Sequence, residues 1–248
     1  MKYLFIIYFF TYSIILAQDK QSKEINNTVL FSVNHSFQIP FGELNKRFGN
    51  NSDLSITTYF INNNSIIFSV EAGFLFGPTV KDNGIFNGID GNNGYLISQN
   101  GEIPTIRLFE RGGHIDFNIG KQFLFKKHKN KSGLVASIGL GYIYHKIFIE
   151  TLITQLPQIN ETMLKGYDRL TGGVMTKQFI GYLYQSNLNN IRFLIGIEGI
   201  QGFTKDLRGY NYDTQTFINT NRLDCLIGLK CGFIIPIKQR EIERYYFF

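Results

Sequence analysis

A strict alternation of apolar and polar residues constrains this chain more than any other feature. In the stretch "RLDCLIGLKCGFIIPI", residues 222–237, every odd position is apolar, and the charged residues and glycines are confined to the even positions. A period of two is that of a β-strand whose two faces meet different surroundings. The stretch therefore predicts a strand with one apolar face and one face that is polar or small.

Seven further segments carry strand signatures and are bounded by clusters of Asn, Gly, Lys or Pro. The sixth of the eight has an ambiguous phase, so its inward and outward positions stay unassigned. The predicted strands are 28–39, 51–61, 65–77, 113–125, 133 to about 149, 173–185, 191–204 and 222–237.

The connections between these segments alternate in length. "NNN", "KKHKNKS" and "SNLNN" follow the second, fourth and sixth strands, whereas the segments 78–112, 150–172 and 205–220 follow the third, fifth and seventh. Only the first connection, "PFGELNKRFGN", is intermediate. Short turns at one end and long loops at the other are typical of strands that run up and down across an outer membrane.

Composition is consistent with this pattern. Charged residues make up 18% of the 248 residues, below the ~25% of soluble domains, and the mean hydropathy of -0.06 is too low for a bundle of membrane helices. We therefore expect an all-β fold: an eight-stranded antiparallel up-and-down transmembrane β-barrel. The alternative is a soluble lipocalin-like barrel or β-sandwich. Glycines on the polar face favour the membrane barrel, because a crowded interior needs small residues and a solvated surface does not.

The N-terminus "MKYLFIIYFFTYSIILAQDK" is typical of a secretory signal peptide. Its apolar run of roughly 15 residues is short for a spanning helix of ~20, which is the alternative interpretation. We expect a signal peptide over residues 1–17, an N-terminal periplasmic segment over 18–27, the barrel over 28–237 and a C-terminal tail over 238–248. The expected location is the bacterial outer membrane.

The end of the last strand, "KCGFIIPI", resembles the C-terminal assembly signal of bacterial outer-membrane barrels at Lys230, Gly232, Ile235 and Ile237. The family pattern often ends the chain there, whereas here "KQREIERYYFF" follows. Together with "GYDRLTGG" and "QFIGY", the strand is similar to segments of small OmpA-type outer-membrane barrels of Bacteroidota, including the PorT-like group. This resemblance implies contact with outer-membrane lipid and with the barrel-assembly machinery. Some related barrels are accessory parts of the type IX secretion and gliding apparatus.

The narrow interior of an eight-stranded barrel is filled by side chains, so charges that point inward need partners there. His145 is a further residue that could supply positive charge in the lumen. We expect the pairing to form a structural plug, with a proton or ion path as the alternative. The predicted lumenal charge network consists of Glu71, His114, Asp116, Glu198, Arg222, Asp224 and Lys230.

No pattern of catalytic or metal-binding residues stands out. Ser137 and His145 share a strand face but lie roughly 26 Å apart along it. Cys225 and Cys231 share the lipid face and are too distant, at roughly 20 Å, to form a disulfide. The sequence therefore predicts no catalytic residue, no cofactor and no metal site. A lipid A-modifying enzyme and a small-solute channel remain as alternative functions.

Two further regions are candidates for recognition. The basic periplasmic turn could be a solvated turn, or it could dock to an acidic partner or to lipid headgroups; it contains Lys126, Lys127, Lys129 and Lys131. The outer loops combine Tyr, Arg and Asp, which suits either contact with a ligand or packing of the loops on one another. Their candidate residues are Tyr167, Asp168, Arg169, Arg208, Tyr210, Tyr212 and Asp213.

The expected protein is a monomer without enzymatic activity and without a nucleic-acid partner. It would be a structural or loop-presenting component of the envelope, or an accessory of a secretion apparatus with another envelope protein as partner.

Overall fold

The computed structural model describes residues 28–82, 84–86, 89, 96–125, 132–152, 156, 159–185, 192–218 and 220–236. The predicted signal peptide, the C-terminal tail and the basic turn lie outside these residues. The strands are β1 (Thr28–Gly42), β2 (Asn51–Ile61), β3 (Ile66–Gly77), β4 (Thr105–Leu124), β5 (Gly133–Leu152), β6 (Thr171–Gln185), β7 (Arg192–Asp206), β8 (Tyr210–Asn211), β9 (Thr216–Phe217) and β10 (Asn221–Pro236). The helices are α1 (Glu43–Arg47) and α2 (Glu161–Tyr167).

Eight of these strands form a closed antiparallel barrel, which confirms the predicted fold class. Each of β1 to β6 pairs with the next strand along the chain, and β10 pairs with both β7 and β1 to close the sheet. Leu30 lies beside Pro236, so the start and the end of the barrel meet at one end, which is also the end of the short turns. We call this the lower end and the end with the long loops the upper end. Strands β8 and β9 form a separate hairpin within the last long loop.

The strand bounds agree with the sequence prediction except in the β4–β5 hairpin. β4 begins at Thr105, eight residues before the predicted start at Gly113, and β5 continues to Leu152. Thr105 pairs with Leu152, and the ladder is continuous from there to Leu124 and Gly133. The added residues "TIRLFERG" alternate poorly, so periodicity did not predict them as part of a strand. Backbone hydrogen bonds to β5 hold this segment in the sheet.

The outer face of the barrel is apolar on all eight strands. Such a continuous apolar surface would be unstable in water and is stabilised by the hydrocarbon of a bilayer. Representative exposed side chains, one from each strand, are Phe37, Ile56, Phe74, Phe117, Ile138, Ile180, Ile197 and Leu229. The apolar face therefore points outward, as in a membrane barrel, and not inward, as in the soluble alternative. Cys231 is exposed and Cys225 is half-buried on this face, and both thiols are free.

A small polar patch interrupts the apolar belt on β6 and β7. The side-chain amides of Gln178 and Gln201 donate to one another, both at 2.9 Å, and the hydroxyl of Thr176 donates to Gln201 at 2.7 Å. A lipid-facing polar group costs free energy when it lacks a hydrogen-bond partner. The mutual pairing therefore lowers the free-energy cost of placing these two amides in the apolar belt.

The interior has three layers. A lower apolar cluster contains Leu30, Ile61, Ile67, Val135, Phe179, Leu183, Leu194 and Ile234. An upper apolar cluster contains Leu44, Phe48, Leu75, Ile85, Ile143, Ile147, Ile149, Tyr167, Met175, Ile200 and Leu226. Between them, the inward positions of the strands carry polar groups, such as Glu71 on β3 between Ile67 and Leu75.

Helix α1 closes the upper end of the lumen. Leu44 and Phe48 are buried in the upper apolar cluster, and the ring of Phe48 packs edge-on against the imidazole of His145, with ring centroids 5.6 Å apart. Among the described residues, neither helix has the length and apolar character needed to cross a membrane.

Candidate functional site

The middle layer is built around two lysines that share two glutamates. Lys177 and Lys230 contact Oε1 of Glu71 at 2.8 and 2.5 Å, and they face Oε2 of Glu198 at 3.4 and 3.5 Å. Each of these side chains is at most 4% exposed. Since the four residues come from β3, β6, β7 and β10, the ion pairs join strands on different sides of the lumen. Gln38 adds a hydrogen bond from its amide to Oε1 of Glu198 at 2.8 Å.

A histidine between two aspartates extends this network across β2 and β4. Nδ1 of His114 lies 2.7 Å from Oδ2 of Asp116, and Nε2 lies 3.2 Å from Oδ1 of Asp53. All three side chains are fully buried. Lys177 lies 3.8 Å from Asp116 and so links this triplet to the two glutamates. We call the whole set the central ion cluster: Asp53, Glu71, His114, Asp116, Lys177, Glu198 and Lys230.

Gly73 makes room for this arrangement. A Cβ atom at Gly73 would overlap Nε2 of His114 and lie 2.5 Å from Oδ1 of Asp53. Close packing of charged side chains in a narrow lumen thus explains why a glycine is found on the polar face of β3.

A second polar cluster lies above the first and is centred on Asp224. Its carboxylate accepts from Oγ1 of Thr204 at 2.5 Å, contacts Nε2 of His145 at 3.0 Å and pairs with Arg47 at 3.4 Å. Burial lowers the pKa of the Arg47 guanidinium to about 10, so it keeps its positive charge at neutral pH. Arg47 also donates to Oγ1 of Thr171 at 3.1 Å and thereby anchors α1 to β6 and β10.

The structure divides the seven predicted network residues between two places. Five lie in the central ion cluster, whereas Asp224 lies in the upper polar cluster. Arg222 lies at the edge of that upper cluster, where it donates to Thr171 at 3.4 Å and forms no bond to the central glutamates. The further predicted residue, His145, belongs to the upper cluster as well.

Among the described residues, four charged residues of the lumen were missed by sequence reasoning. Glu110 lies in the part of β4 that precedes the predicted start of the strand. Lys177 lies on β6, whose phase was ambiguous, and Arg47 reaches the lumen from a helix, where strand parity has no meaning. Asp53 could have been found, because it alternates with the outward residues Leu54 and Ile56 on β2.

A cavity beside the central ion cluster is lined by Tyr59, Glu71, Lys177, Phe179 and Lys230, among others. About 20 Å³ of it is open to the centres of water molecules, which is room for one or two waters. Apart from this small cavity, side chains fill the lumen next to the ion pairs.

The predicted assembly-signal residues fall on both faces of β10. Lys230 and Gly232 point into the lumen, and Ile235 is 48% exposed on the lipid face. Ile237 lies outside the described residues, as do Lys126, Lys127, Lys129 and Lys131 of the basic turn.

The seven loop residues come together in one packed cap over the upper end. Arg208 forms a two-pronged ion pair with Asp168, with nitrogen to oxygen distances of 2.9 and 2.6 Å, and this hydrogen bonding raises the pKa of Arg208. Arg169 pairs with Asp213 and with Asp82, which belongs to the loop between β3 and β4. Three of the long loops are thus connected by ion pairs.

Aromatic contacts complete this loop cap. The ring of Tyr212 packs edge-on against Tyr167 and Tyr210, with centroids 5.5 and 5.8 Å apart. Backbone hydrogen bonds add to the packing, from Tyr212 to Gly166 at 3.1 Å and from Ile147 to Asp168 at 2.8 Å. The geometry matches packing of the loops on one another.

A closed antiparallel barrel with an apolar exterior, a filled polar lumen and long loops at one end defines a small outer-membrane β-barrel protein, located in the bacterial outer membrane.

Solved structures of such barrels resemble this chain at low sequence identity. Neisserial surface protein A is 10% identical, with a TM-score of 0.42, over 86% of this chain and 100% of that one. A major outer membrane protein from Thermus thermophilus is 10% identical, with a TM-score of 0.42, over 84% and 99%. Ail, the attachment invasion locus protein of Yersinia pestis, is 8% identical, with a TM-score of 0.41, over 85% and 100%. No protein-family model matches the chain, and no curated protein matches it in sequence.

Proposed function

We propose that this protein is a non-enzymatic barrel that presents its loop cap at the cell surface and does not conduct solutes. The observation that carries the proposal is the layered filling of the lumen, with the central ion cluster enclosed between two apolar clusters.

Conduction through such a lumen is opposed by each layer. A hydrated ion would have to cross apolar layers that contain Phe48 at one end and Leu30 at the other, both at most 1% exposed. Hydrophobic constrictions stop ions by excluding water. The lysine and glutamate pairs of the middle layer would also have to separate, which leaves buried charges without partners.

The loop cap offers a preorganised surface for recognition. Its ion pairs and ring contacts fix the loops before any partner arrives, which reduces the entropy lost on binding. Tyr212 and Phe217 nevertheless remain 41% and 85% exposed. Exposed aromatic side chains on a rigid support are typical of protein recognition surfaces.

The resemblance to small barrels of Bacteroidota supports a more specific role as an accessory of a secretion apparatus of the type IX or gliding kind. The segment "GYDRLTGG", which contributes to that resemblance, supplies Tyr167, Asp168 and Arg169 to the loop cap. A partner of this kind would be another envelope protein. Crosslinking in the native envelope, followed by mass spectrometry, tests this role: recovery of secretion components supports it, and their absence from the crosslinked products contradicts it.

Planar-bilayer recording tests the loop-presenting proposal. We expect no stepwise conductance from the purified barrel under conditions in which a porin control conducts. Steps that change when Glu198 is replaced by Gln would overturn the proposal in favour of a channel.

Lipid analysis tests the absence of enzymatic activity. Deletion of the gene should leave the acylation of lipid A unchanged, whereas an altered acylation pattern that the wild-type gene restores would favour a lipid-modifying enzyme.

A further inference from the structure

We propose that Asp53, Glu71 and His114 bind a divalent metal ion of the zinc type inside the lumen. The three side chains come from the adjacent strands β2, β3 and β4, and one ligand atom from each lies within 4.8 Å of the others. This site goes beyond the proposed surface function and does not depend on it.

The hydrogen bonding of His114 prepares its ring for a metal. Nδ1 faces Oδ2 of Asp116 at 2.7 Å. An ionised carboxylate only accepts hydrogen bonds, so Nδ1 carries the hydrogen and Nε2 of the neutral ring carries a lone pair. A carboxylate behind a metal-binding histidine orients the ring in this way in many metal sites.

The other ring nitrogen meets a second acceptor. Nε2 of His114 lies 3.2 Å from Oδ1 of Asp53. A lone pair and a carboxylate oxygen repel one another, so a positive centre has to lie between them. That centre is either a second proton on the ring or a metal ion.

The carboxylate of Asp53 supplies an independent indication. Its side chain is fully buried, and Oδ2 has no hydrogen-bond partner among the residues that the structure describes. A buried carboxylate oxygen without a partner costs free energy. A metal bound by this carboxylate would remove that cost.

The net charge of the central ion cluster matches a divalent ion. The central ion cluster contains four carboxylates, from Asp53, Glu71, Asp116 and Glu198, and two ammonium groups, from Lys177 and Lys230. With neutral His114, the buried cluster therefore carries two excess negative charges. A divalent cation at the site removes both.

Glu71 can take part because both lysines contact the same oxygen, Oε1, which leaves Oε2 outside these two ion pairs. One imidazole and two carboxylates form a ligand set that Zn²⁺ accepts, and Oδ2 of Asp53, which has no hydrogen-bond partner among the described residues, is available as a fourth ligand atom. The ligand atoms would have to move together by several tenths of an ångström to reach the zinc distances of about 2.0–2.2 Å. Because the lumen is closed at both ends, the ion would enter during folding and stabilise the folded barrel.

Metal analysis of the refolded barrel tests the site. The full mature chain is folded into lipid in the presence of Zn²⁺ and washed with a chelator, and its metal content is measured by mass spectrometry. We expect about one zinc ion per folded chain, in line with a structural site, and a loss of most of it in Asp53→Asn and His114→Gln. The matched control is Glu110→Gln, which alters a buried lumenal carboxylate that binds Asn51 at 3.0 Å and lies outside the site; this variant should keep its zinc.

A second readout uses the wild-type barrel and therefore does not depend on the folding of the variants. Folding with Co²⁺ should give the visible absorption bands of a four-coordinate nitrogen and oxygen site, and these bands should survive the chelator wash. Folded wild-type protein without zinc and without these bands would overturn the proposal. Retention of full zinc content in both folded variants would overturn it as well.

Discussion

Lys177 lies within 4 Å of three carboxylates, those of Glu71, Asp116 and Glu198. At the scale of single residues, this lysine connects the two halves of the central ion cluster. Charges in a desolvated lumen are stable only while each has its counter-charge.

Replacing Lys177 by Met keeps the length of the side chain and removes its charge. We expect the free energy of unfolding to fall by ~3–5 kcal/mol, because three buried carboxylates lose a shared partner. Urea unfolding of the barrel in lipid vesicles, followed by circular dichroism, measures this change. The control Lys46→Met alters a lysine that is 71% exposed and should change the free energy by less than about 0.5 kcal/mol. Equal effects of the two substitutions would contradict the account of the cluster.

Replacing Gly73 by Ala tests the close packing around His114 and Asp53. The added methyl group would overlap the imidazole, and we expect a loss of about 1–3 kcal/mol in the same unfolding assay. Gly199→Ala is the matched control on β7, since the nearest atom to its added methyl is the Gln178 amide oxygen at 3.3 Å, at the end of a flexible side chain. A Gly73→Ala barrel as stable as the Gly199→Ala barrel would contradict close packing, because it would show that the surroundings of His114 and Asp53 accommodate a methyl group.

Strand parity identified the lumenal residues wherever a strand alternates cleanly, as it does at His114 and Asp116 on β4. It missed Lys177 because both faces of β6 carry polar and apolar residues. Parity also groups residues by face and not by height along the barrel, so it could not separate Asp224 from the central ion cluster.

At the scale of elements, α1 is the part of the fold that periodicity could not anticipate. This five-residue helix places Phe48 in the upper apolar cluster and Arg47 beside Asp224. Both positions follow from tertiary packing of a connection that the sequence marks only as intermediate in length.

Phe48→Ala should weaken this closure. Phe48 is 0% exposed, and truncation of a buried phenylalanine costs ~3–5 kcal/mol through lost burial and the cavity left behind. Thermal or urea unfolding in vesicles measures the effect. Phe217→Ala removes the same group from the β8–β9 hairpin, where it is 85% exposed, and should have little effect. A similar stability of the two variants would show that α1 does not contribute to the barrel.

Asp168→Asn tests the connection between the long loops. The change weakens the ion pair with Arg208, and we expect trypsin to cleave folded barrels faster after Arg208 in the last long loop. The rate of cleavage, followed by mass spectrometry of the fragments, is the measurement. Glu102→Gln alters an exposed carboxylate on another loop and should leave the rate unchanged. Unchanged cleavage in Asp168→Asn would indicate that the ion pair does not hold the cap together.

At the scale of the whole molecule, the closed sheet leaves none of its eight strands with a free edge, and the bilayer covers the apolar outer face. This level was the most predictable from sequence, because strand number, loop alternation and face composition each depend on repeated patterns along the chain. The contacts within the loop cap were less predictable, since they join residues that only the folded barrel brings together, such as Asp82 and Arg169.

The central claim is that the residues at the odd positions of β10 contact lipid. The reactivity of the two native thiols on this strand, Cys225 and Cys231, tests this claim directly. The reactive form of a thiol is the charged thiolate, which hydrocarbon disfavours. In vesicles, we expect Cys225 and Cys231 of the folded barrel to resist a charged, water-soluble maleimide and to react fully after unfolding. A cysteine introduced at the exposed loop residue Gln99 should react in the folded state. Reaction of Cys231 in the folded barrel at the rate of that loop cysteine would place the outer face in water and contradict the membrane barrel.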